Sequence, residues 1–247
     1  MHSNEVSVAQ AVAEAPAVAA ELAAMAQAHR NEHREVDQCH TQRAWVPTAG
    51  TYCYQTHIAI SAQPRARLAW LAELLYSAAR LQRQPWYPQF SKGCSEALSM
   101  TPAAGIGKHQ LSWGCFDLGL PQPRYYRQLV SLASTDDNTQ VIVARSVPDG
   151  PALPAQARLA YTLNPNGEVV YWENDQLHWH HICCTPGAGL LTPLADRLLI
   201  NTLRLLRLDQ TERATYREEA GQMRDWLHSG RAAADISAQI SLPVTSD

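Results

Sequence analysis

The 247 residues contain no unbroken apolar run of about 18, so no helix is expected to span a membrane. The oiliest stretch, Leu190–Leu208, is interrupted by Asp196, Arg197, Arg204 and Arg207. No secretory signal is expected either. The chain starts His2, Ser3, Asn4, Glu5, and Glu14, Pro16 and Glu21 break its Ala-rich beginning. No excess of positive charge exists; the net charge is −3, which excludes a nucleic-acid footprint. Lysine is nearly absent, with Lys92 and Lys108 alone, and this carries no functional reading. Cys39, Cys53, Cys94, Cys115, Cys183 and Cys184 show no CxxC or zinc-ribbon spacing. They read as buried free thiols in a reducing cytosol, which makes the expected location cytoplasmic. There is no G-x-S-x-G, Walker, dinucleotide-binding or H-E-x-x-H motif, and Gly105-Ile106-Gly107 reads as a turn.

What is present is an ordinary globular composition. The apolar share is 46% and the charged share 17%, which argues against disorder. Residues 6–29 read as a helix with Val8, Val12, Ala15, Val18, Leu22 and Met25 on one stripe, weakened by Pro16. Two strands follow within Glu35–Ser61, turning at Pro47–Gly50. Pro64 opens a second helix whose stripe is Leu68, Leu71, Leu75 and Ala78. Strands are then expected at 94–100, 108–118, 125–133, 141–147, 155–163 and 168–182. Asn164-Pro165-Asn166-Gly167 is the clearest hairpin signal, because Asn and Gly tolerate the positive φ of a tight turn. Thr192 and Pro193 begin a long apolar-faced helix running to about residue 228, with Gly230 as its stop. At 1.5 Å per residue it would be about 54 Å long, so a bend or break is expected near Leu208–Thr211.

The order of elements is α+β, not alternating α/β. A curved antiparallel sheet must cover its apolar inner face, and the 193–228 helix is the one element long and oily enough to do so. A tunnel between sheet and helix is expected, and ligands favour such concave apolar places.

Several segments, in order, resemble one family. They are Leu74-Leu75-Tyr76 followed by Trp86, Leu120-Pro121-Gln122-Pro123-Arg124-Tyr125-Tyr126, Val141–Val147, Ala157-Arg158-Leu159-Ala160 and Gly187–Leu194. Their order and spacing over residues 65–210 resemble the START / polyketide-cyclase superfamily, although Tyr125 stands where that family often has Asp. The resemblance implies a helix-grip fold, a curved antiparallel sheet wrapped around a long C-terminal helix. It also implies binding, for transport or sensing, of a hydrophobic molecule such as a lipid, sterol or polyketide. Some members are cyclases or aromatases.

Arg145 shares a strand face with Val141, Val143 and Val147, so it points either into a cavity or into solvent. Pointing inward it needs a partner such as Asp117, Glu96 or Glu173, or a polar ligand head. Arg124 resembles the family's Arg, which in some members faces the cavity, and Arg158 lies in or beside another predicted strand. Trp113, Tyr161, Trp172 and Trp179 are core packers or tunnel lining. His178 and His180 face one way on their strand; Leu177, Trp179 and His181 face the other. His178 and His180 have the spacing of a metal-chelating pair, with His33, His57, His109 or Glu173 as a third donor. His180 alternatively suits a general base in a cyclase pocket, beside Arg145 or a Tyr.

Three readings stay open: a carrier or sensor, an enzyme of cyclase type, and an interaction module with a filled interior. The carrier reading leads. Its expected ligand contacts are Arg124, Arg145, Arg158, Trp113, Tyr161, Trp172, His180, Leu194 and Leu198. No catalytic residue, metal or cofactor is expected. The expected partner is a hydrophobic small molecule or lipid, without nucleic acid and without stable membrane insertion; the oligomeric state is open. The expected organisation is an N-terminal helix over 1–30 packed on the domain, the domain proper over 31–230, and a loose tail over 231–247.

Overall fold

A computed structural model describes residues 6–32, 35–46, 51–77, 90–97, 106–116, 124–148, 158–159, 165–183 and 203–229. In chain order the elements are α1 (Val8–Glu32), β1 (Cys39–Val46), β2 (Thr51–Ile60), α2 (Ala66–Ser77), β3 (Phe90–Ala97), β4 (Ile106–Phe116), β5 (Arg124–Asp136), β6 (Thr139–Ser146), β7 (Arg158–Leu159), β8 (Gly167–Glu173), β9 (Gln176–Cys183) and α3 (Leu203–His228). The strands form one sheet in the order β1-β2-β9-β8-β6-β5-β4-β3. All neighbours on that path are antiparallel. β7 stands off the path and runs parallel to β5, pairing Arg124 with Arg158. It borders the start of β5, which β6 reaches only from Gln128 onward. The fold is α+β, with an open curved sheet and a long C-terminal helix.

Helices cover both faces of the sheet, and strand alternation sorts side chains between them. On one face α1 lays Ala15, Val18, Ala19, Leu22 and Ala26 against Cys53, Val141, Val143, Val169 and Ile182. Leu22 is fully buried, which contributes about 2 kcal/mol. On the other face Leu68, Leu71, Leu74 and Leu75 of α2 and Ala220, Met223 and Leu227 of α3 meet Ile58, Ile60, Val130, Ile142, Val170, Leu177 and Trp179. Trp70 of α2 and Trp226 of α3 stack 5.5 Å apart, so the two helices also touch each other.

Several expectations need correction. The run 168–182 is not one strand but the hairpin β8–β9. Its turn, Asn174-Asp175, has φ of 51° and 60°, the two positive values of a type I′ turn. Asn166-Gly167 does not close a hairpin between β7 and β8. Gly167 instead pairs with Val143 of β6 and Ile182 of β9. Strand β7 is two residues long within the described part of 155–163. Helix α3 runs unbroken through Leu208–Thr211, where no proline or glycine interrupts the backbone ladder. Its 26 residues give a rod of about 39 Å. The expected first turns at 193–202, and the tail from 230, lie outside the described residues.

Helix α1 is long and apolar enough by composition to cross a membrane. A search for unbroken apolar runs overlooks it because Glu14 and Glu21 interrupt the run. In this fold its small-residue edge lies on the sheet, as packing by Ala11, Ala15, Ala19 and Ala26 allows.

Candidate functional site

The α2/α3 face changes character along its length. Beneath the C-terminal half of α3 it is filled by Ala220, Met223 and Leu227 against Ile58, Ile60, Leu177 and Trp179. Among the described residues that part is closed by side-chain packing. One helical turn earlier the lining becomes polar and aromatic. Tyr216 of α3 lies 5.7 Å from Tyr54 of β2 and 5.3 Å from His181 of β9, ring centre to ring centre. Thr56 of β2 is fully buried, and its hydroxyl sits 3.2 Å from that of Thr41 on β1.

Glu168 of β8 stands directly across from His181 in the sheet register. Its carboxylate is buried, 7% exposed, and accepts a 2.8 Å hydrogen bond from the Trp179 indole N–H. A carboxylate withdrawn from water needs such donors, since an unpaired buried charge costs several kcal/mol or more. Alternation sets this arrangement. Glu168, Val170 and Trp172 share one face of β8; Leu177, Trp179 and His181 share the same face of β9.

The thiols offer little chemistry. Cys39 and Cys53 carry free thiols. Burial pushes Cys39 up to about 11 despite the Thr41 hydroxyl and the nearby Arg217 and Arg224, and burial also raises Cys53. A protonated thiol is a poor nucleophile.

Sequence reasoning placed several residues here that the fold puts elsewhere. Arg145 faces α1, where its Nε lies 3.8 Å from Glu14. Of the partners expected for it, Glu173 is ion-paired to Arg30 instead, while Asp117 and the Glu96 side chain lie outside the described residues. His180 also faces α1, fully buried on the side of Val169 and Ile182. Trp172 is on the α2/α3 face, but its indole N–H donates to the Gln63 carbonyl at 2.8 Å, which makes it a tie to the loop before α2. Trp113 pairs with Arg127 on β5, and Arg124 pairs with Phe116 and Arg158; these three expected contacts are described by sheet position alone. Tyr161, Leu194 and Leu198 lie outside the described residues. The reading missed Glu168, Thr56, Tyr54, His181 and Tyr216 as a group. The signal was available in part: Glu168 is an acid in phase with Val170 and Trp172.

The His178–His180 chelating alternative meets a different geometry. His57, His178 and His180 stack with their rings nearly parallel. Among the described residues no three His, Cys, Asp or Glu side chains are placed to hold one ion.

The arrangement of sheet and helices has counterparts among solved structures. The human StAR-related lipid transfer protein 5 superposes with a TM-score of 0.52 at 13% identity, covering 87% of this chain and 98% of its own. The lipid transfer and protein localization domain of human StarD13 superposes with a TM-score of 0.51 at 11% identity, covering 82% of this chain and 93% of its own. The chain has a START-like fold. No family model matches the sequence. No curated protein matches it either. Identity this low carries architecture and not activity.

Proposed function

We propose that the chain binds a hydrophobic small molecule of the lipid class on the α2/α3 face of its START-like sheet, at the polar stretch beside Tyr216 of α3. The observation that carries this reading is Glu168. A carboxylate held by the Trp179 indole N–H sits where the apolar packing of α3 on the sheet gives way to Tyr54, Thr56, His181 and Tyr216. One polar anchor beside an apolar sheet face matches an amphiphile, whose head needs a partner and whose tail gains from burial. The two solved structures of the same architecture are described as lipid transfer proteins, which supports the same class. The cyclase reading expected His180 with Arg145 or a Tyr inside this pocket; His180 and Arg145 both face α1 instead, with Tyr171 5.7 Å from His180 on that side.

The test is native mass spectrometry of freshly purified full-length protein, followed by organic extraction and identification of what leaves with it. One bound amphiphile per chain is expected. Glu168→Gln keeps the shape and one acceptor, and is expected to lower occupancy about tenfold, the loss of one charge-assisted contact. A chain that emerges empty and takes up no lipid from mixed vesicles overturns the proposal.

A further inference from the structure

Four histidines meet between α1 and the sheet. His29 comes from the last turn of α1, His57 from β2, and His178 and His180 from β9; none is more than 6% exposed. The rings of His57 and His180 stack 4.1 Å apart, and His29 stands edge-on, 5.7 Å from His180 and 5.9 Å from His57. His57 Nε2 and His178 Nδ1 are 3.2 Å apart, so one ring donates to the other. Tyr171 of β8 stacks on His178 at 4.3 Å, and the Arg30 guanidinium of α1 lies 5.3 Å above Tyr171.

The charged groups around this stack come from every adjoining element. Helix α1 adds Arg30, and β8 adds Glu173, which is already ion-paired to Arg30. Strand β1 adds His40, in register with His57 and 3.6 Å from Glu35. A cleft of about 300 Å³ lined by Arg30, Tyr171 and Glu173 opens beside the cluster and gives water a route to its edge. As neutral rings the four pack like aromatics. Once protonated they become like charges a few ångströms apart, with Arg30 adding another.

We propose that this cluster is an acid-sensitive latch, which seats the C-terminal half of α1 on the sheet while neutral and releases it when protonated. The direction of the histidine equilibria agrees. Burial, then the neighbouring histidines and Arg30, holds His180 well below its ordinary range; burial, then Arg30, holds His178 at about 4. A histidine depressed in the folded state contributes stability that is present above its ordinary value of 6.5 and is lost as pH falls toward the folded value. Release would uncover Val141, Val169 and Ile182 together with Ala19, Leu22 and Ala26. The latch does not rest on the ligand reading.

Hydrogen exchange on the full chain tests it, with rates corrected for the intrinsic effect of pH. Between about pH 7.5 and pH 4.5, amides in residues 18–32 are expected to lose protection by about tenfold or more, while β5, β6 and β8 keep theirs. The double variant His57→Phe/His180→Phe keeps the stacked rings without their basic nitrogens, and is expected to reduce that loss to less than about threefold. Imidazole NMR on the unaltered protein supplies a second readout, independent of whether the variant folds: His178 and His180 are expected to remain neutral at about pH 6. The latch is refuted if α1 stays protected at the lower pH, or opens only together with the sheet. It is equally refuted if the double variant keeps the full loss, or if His178 and His180 titrate above about pH 6.

Discussion

Gly167 offers a sharp trial of how α1, β6 and β8 fit together. A Cβ at this position would lie 2.0 Å from the Ile142 carbonyl oxygen and 2.9 Å from Leu22 Cδ1. The leucine methyl belongs to the end of a flexible side chain and can rotate away. The carbonyl cannot, because β6 is hydrogen-bonded on both sides, to β5 and to β8. Gly167→Ala must therefore force β6 and β8 apart where Val143 pairs with Gly167. Overpacking of this kind costs about 3 kcal/mol. For a chain of this size that is a fall in Tm of roughly 6–12 °C, at about 2–4 °C per kcal/mol. Gly221 is the control. It lies inside α3 with nothing within 4 Å of a Cβ, so Gly221→Ala is expected to stabilise by about 0.5–1 kcal/mol through helix propensity and a less flexible unfolded chain. Urea titration of both variants beside the unaltered protein, with slopes checked for constancy, reads the difference. A Gly167→Ala protein within about 0.5 kcal/mol of the parent would refute the close approach of β6 and β8.

Three further outcomes follow from the packing and the ion pairs. Met223→Ala removes a fully buried side chain from the contact between α3 and the sheet, and is expected to cost about 3 kcal/mol by chemical denaturation. Arg145→Ala is expected to leave lipid occupancy unchanged, since the side chain faces α1, while costing about 1 kcal/mol through the lost stem packing and Glu14 contact; a fall in occupancy would return Arg145 to the ligand site. Asp37 ties the β1 end to α3: its carbonyl accepts from Arg224 at 2.8 Å, and its carboxylate lies 3.4 Å from His228. Burial alone would raise this carboxyl, but donors from Ser61, with His228, hold it below its ordinary value. Asp37→Asn tolerates the same positive φ of 58°, removes the charge and leaves one acceptor oxygen for the two Ser61 donors. The stability gap between parent and variant should be widest above the ordinary carboxyl value of 3.8, and should close as pH falls below it in thermal melts at several pH values.

The elements were legible because their signals are local. The stripe of Leu68, Leu71 and Leu75 identifies α2, and Pro64 marks its approach, with Pro64 and Arg65 carbonyls accepting from Arg67 and Leu68. Alternation correctly separated His178 and His180 from Leu177, Trp179 and His181. The β8–β9 hairpin escaped because Asn174-Asp175 has no glycine and lies inside a run of strand-forming residues, although both residues accept positive φ. The expected break in α3 came from its length alone, and length does not break a helix that has a sheet to lie on.

The amino-acid order by itself determined where strands and helices form and which side chains share a strand face, since both depend on residues within a few positions of each other. Only the tertiary structure decided which face looks at which helix. Arg145 meets Glu14 and His180 meets His29 because α1 packs on that side of the sheet; Glu168 meets Trp179 because the β8–β9 register sets them side by side, on the face that α2 and α3 cover. These are contacts between residues far apart in the chain, and period-two alternation is symmetric between the two faces of a sheet. The choice falls to the helix that buries the most apolar surface on each side, a property of the assembled layers and not of any one strand.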